Sequence, residues 1–357
     1  MMKHPLLLIG LAVVLWSANP ADPKYKKATD SARKLIAKQM QQQRIPGVAV
    51  AVTVGGKTVW SEGFGYADVE EHVSVNPEQT RFRIASISKA LTAAAMAVMR
   101  EQGQLALDSP VSFYRTDFPF RKYRPTVRQV AGHLGGIRHY RGNENESKVR
   151  YNTVTDGLTI FKDDTLICKP GTAYNYSSYG FNLLSAVMET ASGKDYLTLM
   201  QETVLNPLAM RHTVADRLDS IIVGRGRYYL RNGQHAPYVD NSYKWAGGGY
   251  LSTAADLAVF GNGLLTNKLI RKETLQEFIR SQQLPDGTPT GYGMGFSTGK
   301  EKSGRIVFGH SGGAVGGTSN LVIYPEQQLV LVILTNVSGA DLYDLSDKIA
   351  EQFLLTR

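Results

Sequence analysis

The sequence predicts an α+β fold: one antiparallel sheet built from both chain ends and flanked by terminal helices, with a mostly helical lobe inserted between. Three observations carry this. Two β-rich runs near the N-terminus, 48–54 and 57–60, are separated only by Gly55-Gly56, the signal of a tight hairpin. Further β-rich runs, 305–308, 319–324 and 329–334, stand together near the C-terminus. Between the two groups the text turns to helical periodicity broken by Gly- and Pro-rich loops. The sheet lobe is expected at about 24–85 and 286–357 and the helical lobe at about 86–285, as a single domain with a cleft between the lobes.

At the N-terminus, Met1-Met2-Lys3-His4 precedes an apolar run from Pro5 to Ala18. That is the shape of a secretory signal peptide, expected over residues 1–21 with cleavage between Ala18 and Ala21. The run is shorter than the roughly 20 residues of a spanning helix, so no stable membrane span is expected after cleavage. The first arginine is Arg33, which fits an Arg-rich mitochondrial presequence poorly. The expected location is secreted or periplasmic, with the mitochondrion as the alternative.

Residues 24–43 read as an amphipathic helix ended by Pro46-Gly47. Over 86–102, Leu91, Ala94, Ala95, Val98 and Met99 fall at helical spacing, and Gly103 stops the pattern. Pro325 ends the 319–324 strand because proline cannot donate to a sheet ladder. A last helix is expected over 341–355.

The formal charge is +9, but its densest cluster, on the first helix, reads as a solvated face, and no nucleic-acid-binding signature accompanies it. Cys168 is the only cysteine, so no intrachain disulfide exists and a buried, inert thiol is expected. There is no phosphate-binding loop and no HExxH, and His133 and His139 stand six apart without a ligand cluster. No metal or cofactor is expected.

A serine needs a proton acceptor to attack a carbonyl at neutral pH, and a lysine three positions later shares its helix face. Ser-x-x-Lys occurs at Ser31, Ser86 and Ser297. Ser31 falls mid-helix on the basic face, and Ser297 falls in what reads as a polar loop. Ser86 opens the apolar helix, where Lys89 is drawn against the core and desolvation lowers an amine pKa. The plain alternative is Ser86 as a helix cap. Gly309-His310-Ser311-Gly312-Gly313 matches the G-x-S-x-G elbow, but no histidine follows Ser311 and the repeated βα units of that fold are missing. Asp240-Asn241-Ser242 reverses a Ser-Asp-Asn element and carries little weight.

Ser86-Ile87-Ser88-Lys89, then Tyr176-Ser177-Ser178, then His310-Ser311-Gly312-Gly313 come in a telling order. Together they resemble the serine β-lactamase and penicillin-binding-protein superfamily, in its class C-like branch. The stretches 135–140 and 237–249 look closer still to its mitochondrial β-lactamase-like members in animals. The resemblance implies Ser86 as nucleophile, Lys89 as neighbouring base and Tyr176 as the group that shuttles a proton to the leaving group. It implies an oxyanion hole from the backbone N–H groups of Ser86 and Gly313, where a residue without a side chain suits position 313. Substrate contacts are implied for Ser178, His310, Ser311 and Gly312.

A cationic Lys89 beside Tyr176 is expected to favour the phenolate, and which of the two takes the first proton stays open. The third motif has His310 where β-lactamases usually carry lysine, and the tyrosine motif ends in Ser178 where they carry asparagine. Both handles for a β-lactam are thereby weakened. Superfamily members with a histidine here are often esterases or peptidases, so the expected function is a serine hydrolase acting through an acyl-enzyme on ester or peptide substrates, the expected partner being a small molecule or a peptide. The alternatives are a β-lactamase or D-alanyl carboxypeptidase, and a non-catalytic binding or assembly protein.

Overall fold

The computed structural model describes residues 16–19, 22–119 and 122–356. Most of the expected signal peptide lies outside the described residues; Trp16–Asn19 form an edge strand, β1. The main strands that follow are β2 (Gly47–Val54), β3 (Lys57–Asp68) and β4 (Val73–Ser74). Three short strands come next, β5 (Phe82–Arg83), β6 (Val214–Ala215) and β7 (Tyr250–Ser252). The last four are β8 (Ser297–Lys300), β9 (Ile306–Ala314), β10 (Gly317–Tyr324) and β11 (Leu329–Thr335).

The large sheet runs β1-β3-β2-β11-β10-β9-β8, with β4 added beside β3. Gly55 and Gly56, with φ of 57° and 78°, turn β2 back on β3, a conformation glycine adopts without steric cost. The ladder that joins the chain ends pairs Val50 with Ile333 and Val52 with Leu331, antiparallel. Both strands are apolar apart from Thr53 and Thr335 because both faces of the sheet are covered. Val48, Val50, Val52, Leu331 and Ile333 enter one cluster with Ala32, Ile36, Ile349 and Phe353. Their neighbours Ala49, Ala51, Val330, Val332 and Leu334 enter the other, with the central helices. The period of two along each strand thus divides its residues between two layers.

The helices are α1 (Lys26–Gln43), α2 (Ile87–Glu101), α3 (Val111–Tyr114), α4 (Val127–Ala131), α5 (Val154–Gly157) and α6 (Ser178–Ser192). They continue with α7 (Tyr196–Met200), α8 (Trp245–Gly248), α9 (Ala254–Leu265), α10 (Lys272–Ile279) and α11 (Tyr343–Leu354). The terminal helices α1 and α11 pack together over the outer face, while α2 lies at the centre of the helical layer against α6 and α8. On α1, Lys34 is exposed and Arg33 pairs with Glu62 at 2.9 Å, so the basic face is solvated and partly neutralised.

Three local readings are corrected. Residues 297–300, expected as loop, form edge strand β8 opposite Phe308. β9 runs well past 308, through the glycines, because β10 pairs with it as far as Gly317↔Ala314. Cys168 is half-buried rather than buried, with the Asn175 amide 3.4 Å from its Sγ. Among the described residues no helix is long and apolar enough to cross a membrane.

Candidate active site

The nucleophile candidate sits where a small sheet hands over to the central helix. The order β5-β7-β6 forms that sheet, and the buried Arg83–Asp216 pair at 2.9 Å ties β5 to the residue after β6. Ala85 then takes φ of 48°, a left-handed conformation that costs an ordinary residue about 1–2 kcal/mol. Packing holds it there. Ile84 donates its N–H to Tyr250 O at 3.1 Å, and its carbonyl accepts from Ser319 Oγ at 2.8 Å. The sharp turn delivers Ser86 to the position just before α2, half-buried at the cleft. Its hydroxyl makes no capping bond to the helix, which removes the reading of Ser86 as an ordinary helix cap.

Lys89 Nζ lies 3.0 Å from Ser86 Oγ and 3.0 Å from Ser178 Oγ, and it also reaches the carbonyl of Gly247. The side chain is fully buried. Burial drives its ammonium well below the ordinary lysine value, and the charge of Lys244 adds to the effect. Nζ donates to all three oxygens; a deprotonated amine would keep two of these bonds and offer its lone pair to the Ser86 hydroxyl. Tyr176 Oη completes the cluster by donating to Ser86 Oγ at 2.9 Å. Burial pushes this phenol above its ordinary value, and the bond to Ser86 only partly offsets that. The expected phenolate is therefore corrected: Tyr176 holds its proton.

Two histidines that sequence reasoning weighed only as metal ligands support the tyrosine motif. Ser177 donates its N–H to His133 Nδ1 and Ser178 donates its N–H to His139 Nδ1, both at 3.1 Å. Burial lowers both rings, His133 well below its ordinary value and His139 to about 4, so each is a neutral acceptor. No group of acidic, histidine or cysteine side chains among the described residues could hold a metal ion.

The third motif divides. Gly312 backs onto the turn before Ser86: a Cβ there would lie 2.3 Å from Ile84 O. At Gly313, on the cavity wall, a Cβ would meet no protein atom within 4 Å, so the packing demand for glycine within the fold falls on 312. Ser311 turns its hydroxyl to Tyr343 Oη at 2.6 Å. His310 is buried, with Tyr292 Oη 2.9 Å from Nε2 and the Ser311 carbonyl 2.6 Å from Nδ1. Burial and the charge of Lys89 lower it to about 3.

A cavity of about 160 Å³ joins Ser86, Ser178 and Gly313 to His139, Lys244 and Gly247. Lys244 is a further residue whose role sequence reasoning missed. A larger hollow of about 250 Å³ beside Arg150 and Trp245 contains Ser242, but that hydroxyl accepts from Tyr151 N–H at 2.8 Å. Ser31 and Ser297 stand on α1 and β8, apart from the cluster.

A family model described as Beta-lactamase matches residues 32–354. The chain belongs to the β-lactamase family. A relative within reach of it is the human "Serine beta-lactamase-like protein LACTB, mitochondrial", 32% identical over 94% of this chain and 81% of that protein. The Bos taurus protein of the same description is 33% identical with the same coverage. Among solved structures, the octameric penicillin-binding protein homologue from Pyrococcus abyssi superposes with a TM-score of 0.80 at 25% identity. It covers 92% of this chain and 78% of its own. The D-amino acid amidase from Ochrobactrum anthropi SV3 shares the fold, with a TM-score of 0.78 at 20% identity over 93% of this chain and 100% of its own. The mixed helix and antiparallel sheet architecture of these structures is the one described above.

Proposed function

We propose that the protein is a serine hydrolase that cleaves esters or amides through an acyl-enzyme on Ser86. The observation that carries this is the convergence of two groups of opposite proton affinity on one hydroxyl. Lys89 Nζ and Tyr176 Oη stand 3.0 and 2.9 Å from Ser86 Oγ, the first pushed towards its neutral form by burial and the second kept protonated by it. Ser86 Oγ attacks the substrate carbonyl and gives its proton to Lys89. The Tyr176 phenol donates to the departing oxygen or nitrogen as the carbonyl–leaving-group bond breaks, and takes a proton back from Lys89. Water then attacks the acyl carbon with Lys89 again as base, restoring Ser86 and releasing the acid. The N–H groups of Ser86 and Gly313, on the walls of one cavity, serve the oxyanion.

Turnover of a panel of aryl esters, peptide amides and β-lactams by the wild type and by Ser86→Ala tests this. Ester or amide hydrolysis that disappears with Ser86 is the expected result; hydrolysis that survives in Ser86→Ala overturns it. For location, the relatives named mitochondrial favour that organelle, while the apolar run before Ala18 favours export. Sequencing the N-terminus of the mature protein separates the two.

A further inference from the structure

Lys244 lies on the wall of the Ser86 cavity and is 8% exposed. Its Nζ donates to the carbonyl of Asn145 at 2.7 Å and has no carboxylate within 4.0 Å among the described residues. An ammonium has three donors, and a buried cation without a counter-charge is costly. The charged groups around it come from several elements: Arg83 on β5, Asp216 after β6, Glu146 and Asp240 on the adjoining loops, and Lys89 on α2. The Tyr140 and Tyr243 rings face it at 5.6 and 5.2 Å. Gly313 of the third motif and Ala314 and Val315 after it also line the cavity, and Tyr176 is not among its walls. Since Tyr176 serves the leaving group, this hollow receives the acyl side of the substrate.

We propose that Lys244 is a specificity-determining residue whose ammonium binds a carboxylate carried on the acyl part of the substrate. This rests on the reading of Ser86 as the nucleophile. The cavity, of about 160 Å³, is the size of a short acyl chain with its terminal carboxylate. Burial and the charge of Arg83 lower Lys244 to about 7, against the opposing pull of Asp216. The grip on an anion is therefore full below that pH and weakens above it.

Aryl esters of succinate, glutarate and adipate, each as the free acid and as the methyl ester, test this. The readout is the ratio of kcat/KM for acid over methyl ester, after subtracting release measured with Ser86→Ala. For the best-fitting chain length the wild-type ratio is expected to be about ten- to a hundredfold, the range of one charge-assisted contact. It should fall as the pH rises from about 6 to about 8.5, because kcat/KM reports the free enzyme. Lys244→Met should bring it near one, and Lys244→Arg should retain part of it. A wild-type ratio near one at every chain length, a ratio flat across that pH range, or a preference that persists in Lys244→Met overturns the proposal. Hydrolysis of the methyl esters with Ser86 intact shows that the acyl-enzyme reading stands even then; no hydrolysis of either ester points to failure of that reading instead.

Discussion

The Tyr176 phenol oxygen stands 2.9 Å from Ser86 Oγ, although the two residues are 90 positions apart in the chain. Ser86 opens α2 and Tyr176 precedes the cap of α6, so the contact exists only when these two helices pack. A group so placed acts with Lys89 as a unit. Ser86→Ala, Lys89→Met and Tyr176→Phe should each lower kcat/KM by roughly 10²–10⁴, and the triple variant should be little worse than Ser86→Ala. Kinetics that multiply independently across the three would contradict a shared proton network.

The pH profile follows from the directions of the two shifts. Lys89 must be neutral to accept a proton, and its value lies well below that of an ordinary lysine. The kcat/KM for a neutral ester should thus rise with pH and level off far below pH 10. Tyr176 is raised, so no loss from phenolate formation is expected up to about pH 10. A rising limb centred near the free-lysine value would show that Lys89 is not the desolvated base.

Acid should destabilise the fold through buried imidazole. Burial lowers His310 to about 3 in the folded protein, against about 6.5 when unfolded. Between those values the unfolded chain binds more protons, so stability is lost as the pH falls from about 6.5 towards 3. At pH 4.5 this one group removes roughly 2–3 kcal/mol. Urea unfolding at pH 7 and pH 4.5 should show a smaller acid loss for His310→Gln than for the wild type, and equal losses would refute it.

The glycines of the third motif should differ sharply. A methyl group at 312 would lie 2.3 Å from a backbone carbonyl and 2.9 Å from the Ala85 side chain, and it would push β9 from the turn that presents Ser86. Gly312→Ala should cost about 1–3 kcal/mol and most of the activity. Gly313→Ala, with open space beyond it, should leave Tm within about 2 °C of the wild type. Thermal melts of both variants decide the matter.

Neutral aryl esters should be cleaved more efficiently than β-lactams. The carboxylate of a β-lactam is drawn to the third-motif lysine in relatives that hydrolyse it, and here the position holds His310. Its ring is neutral and engaged by Tyr292 and Ser311, so no charge-assisted contact worth about ten- to a hundredfold is available. A higher kcat/KM for benzylpenicillin than for a short aryl acetate would be evidence against this.

Much of the site was legible because its signals are local. Ser86 and Lys89 share one helical turn, and the apolar text after them could only be a buried helix. The hairpin at Gly55-Gly56 and the pairing of chain-end strands were readable from β-rich runs and turn chemistry. What escaped depends on long-range packing. Nothing in the text around Lys244 distinguishes a buried cation on the cavity wall from a surface lysine, since its burial comes from the Tyr140 and Tyr243 rings and the Asn145 loop. His133 and His139 gave no sign that each would accept a backbone N–H from the tyrosine motif, because the partners lie 44 and 39 positions away. The protonation of Tyr176 was misjudged for the same reason: spacing revealed the charged neighbour, while the burial that outweighs it is a property of the folded cleft.

The most direct test of the central claim is intact-mass spectrometry of the wild type mixed rapidly with a slowly turned-over aryl ester, followed by peptide mapping. A single adduct with the mass of the acyl group, located on Ser86 and preserved in Ser31→Ala, Ser297→Ala and Ser311→Ala, is the predicted result. An adduct of the same mass on another residue, or one that still forms in Ser86→Ala, would contradict an acyl-enzyme on Ser86.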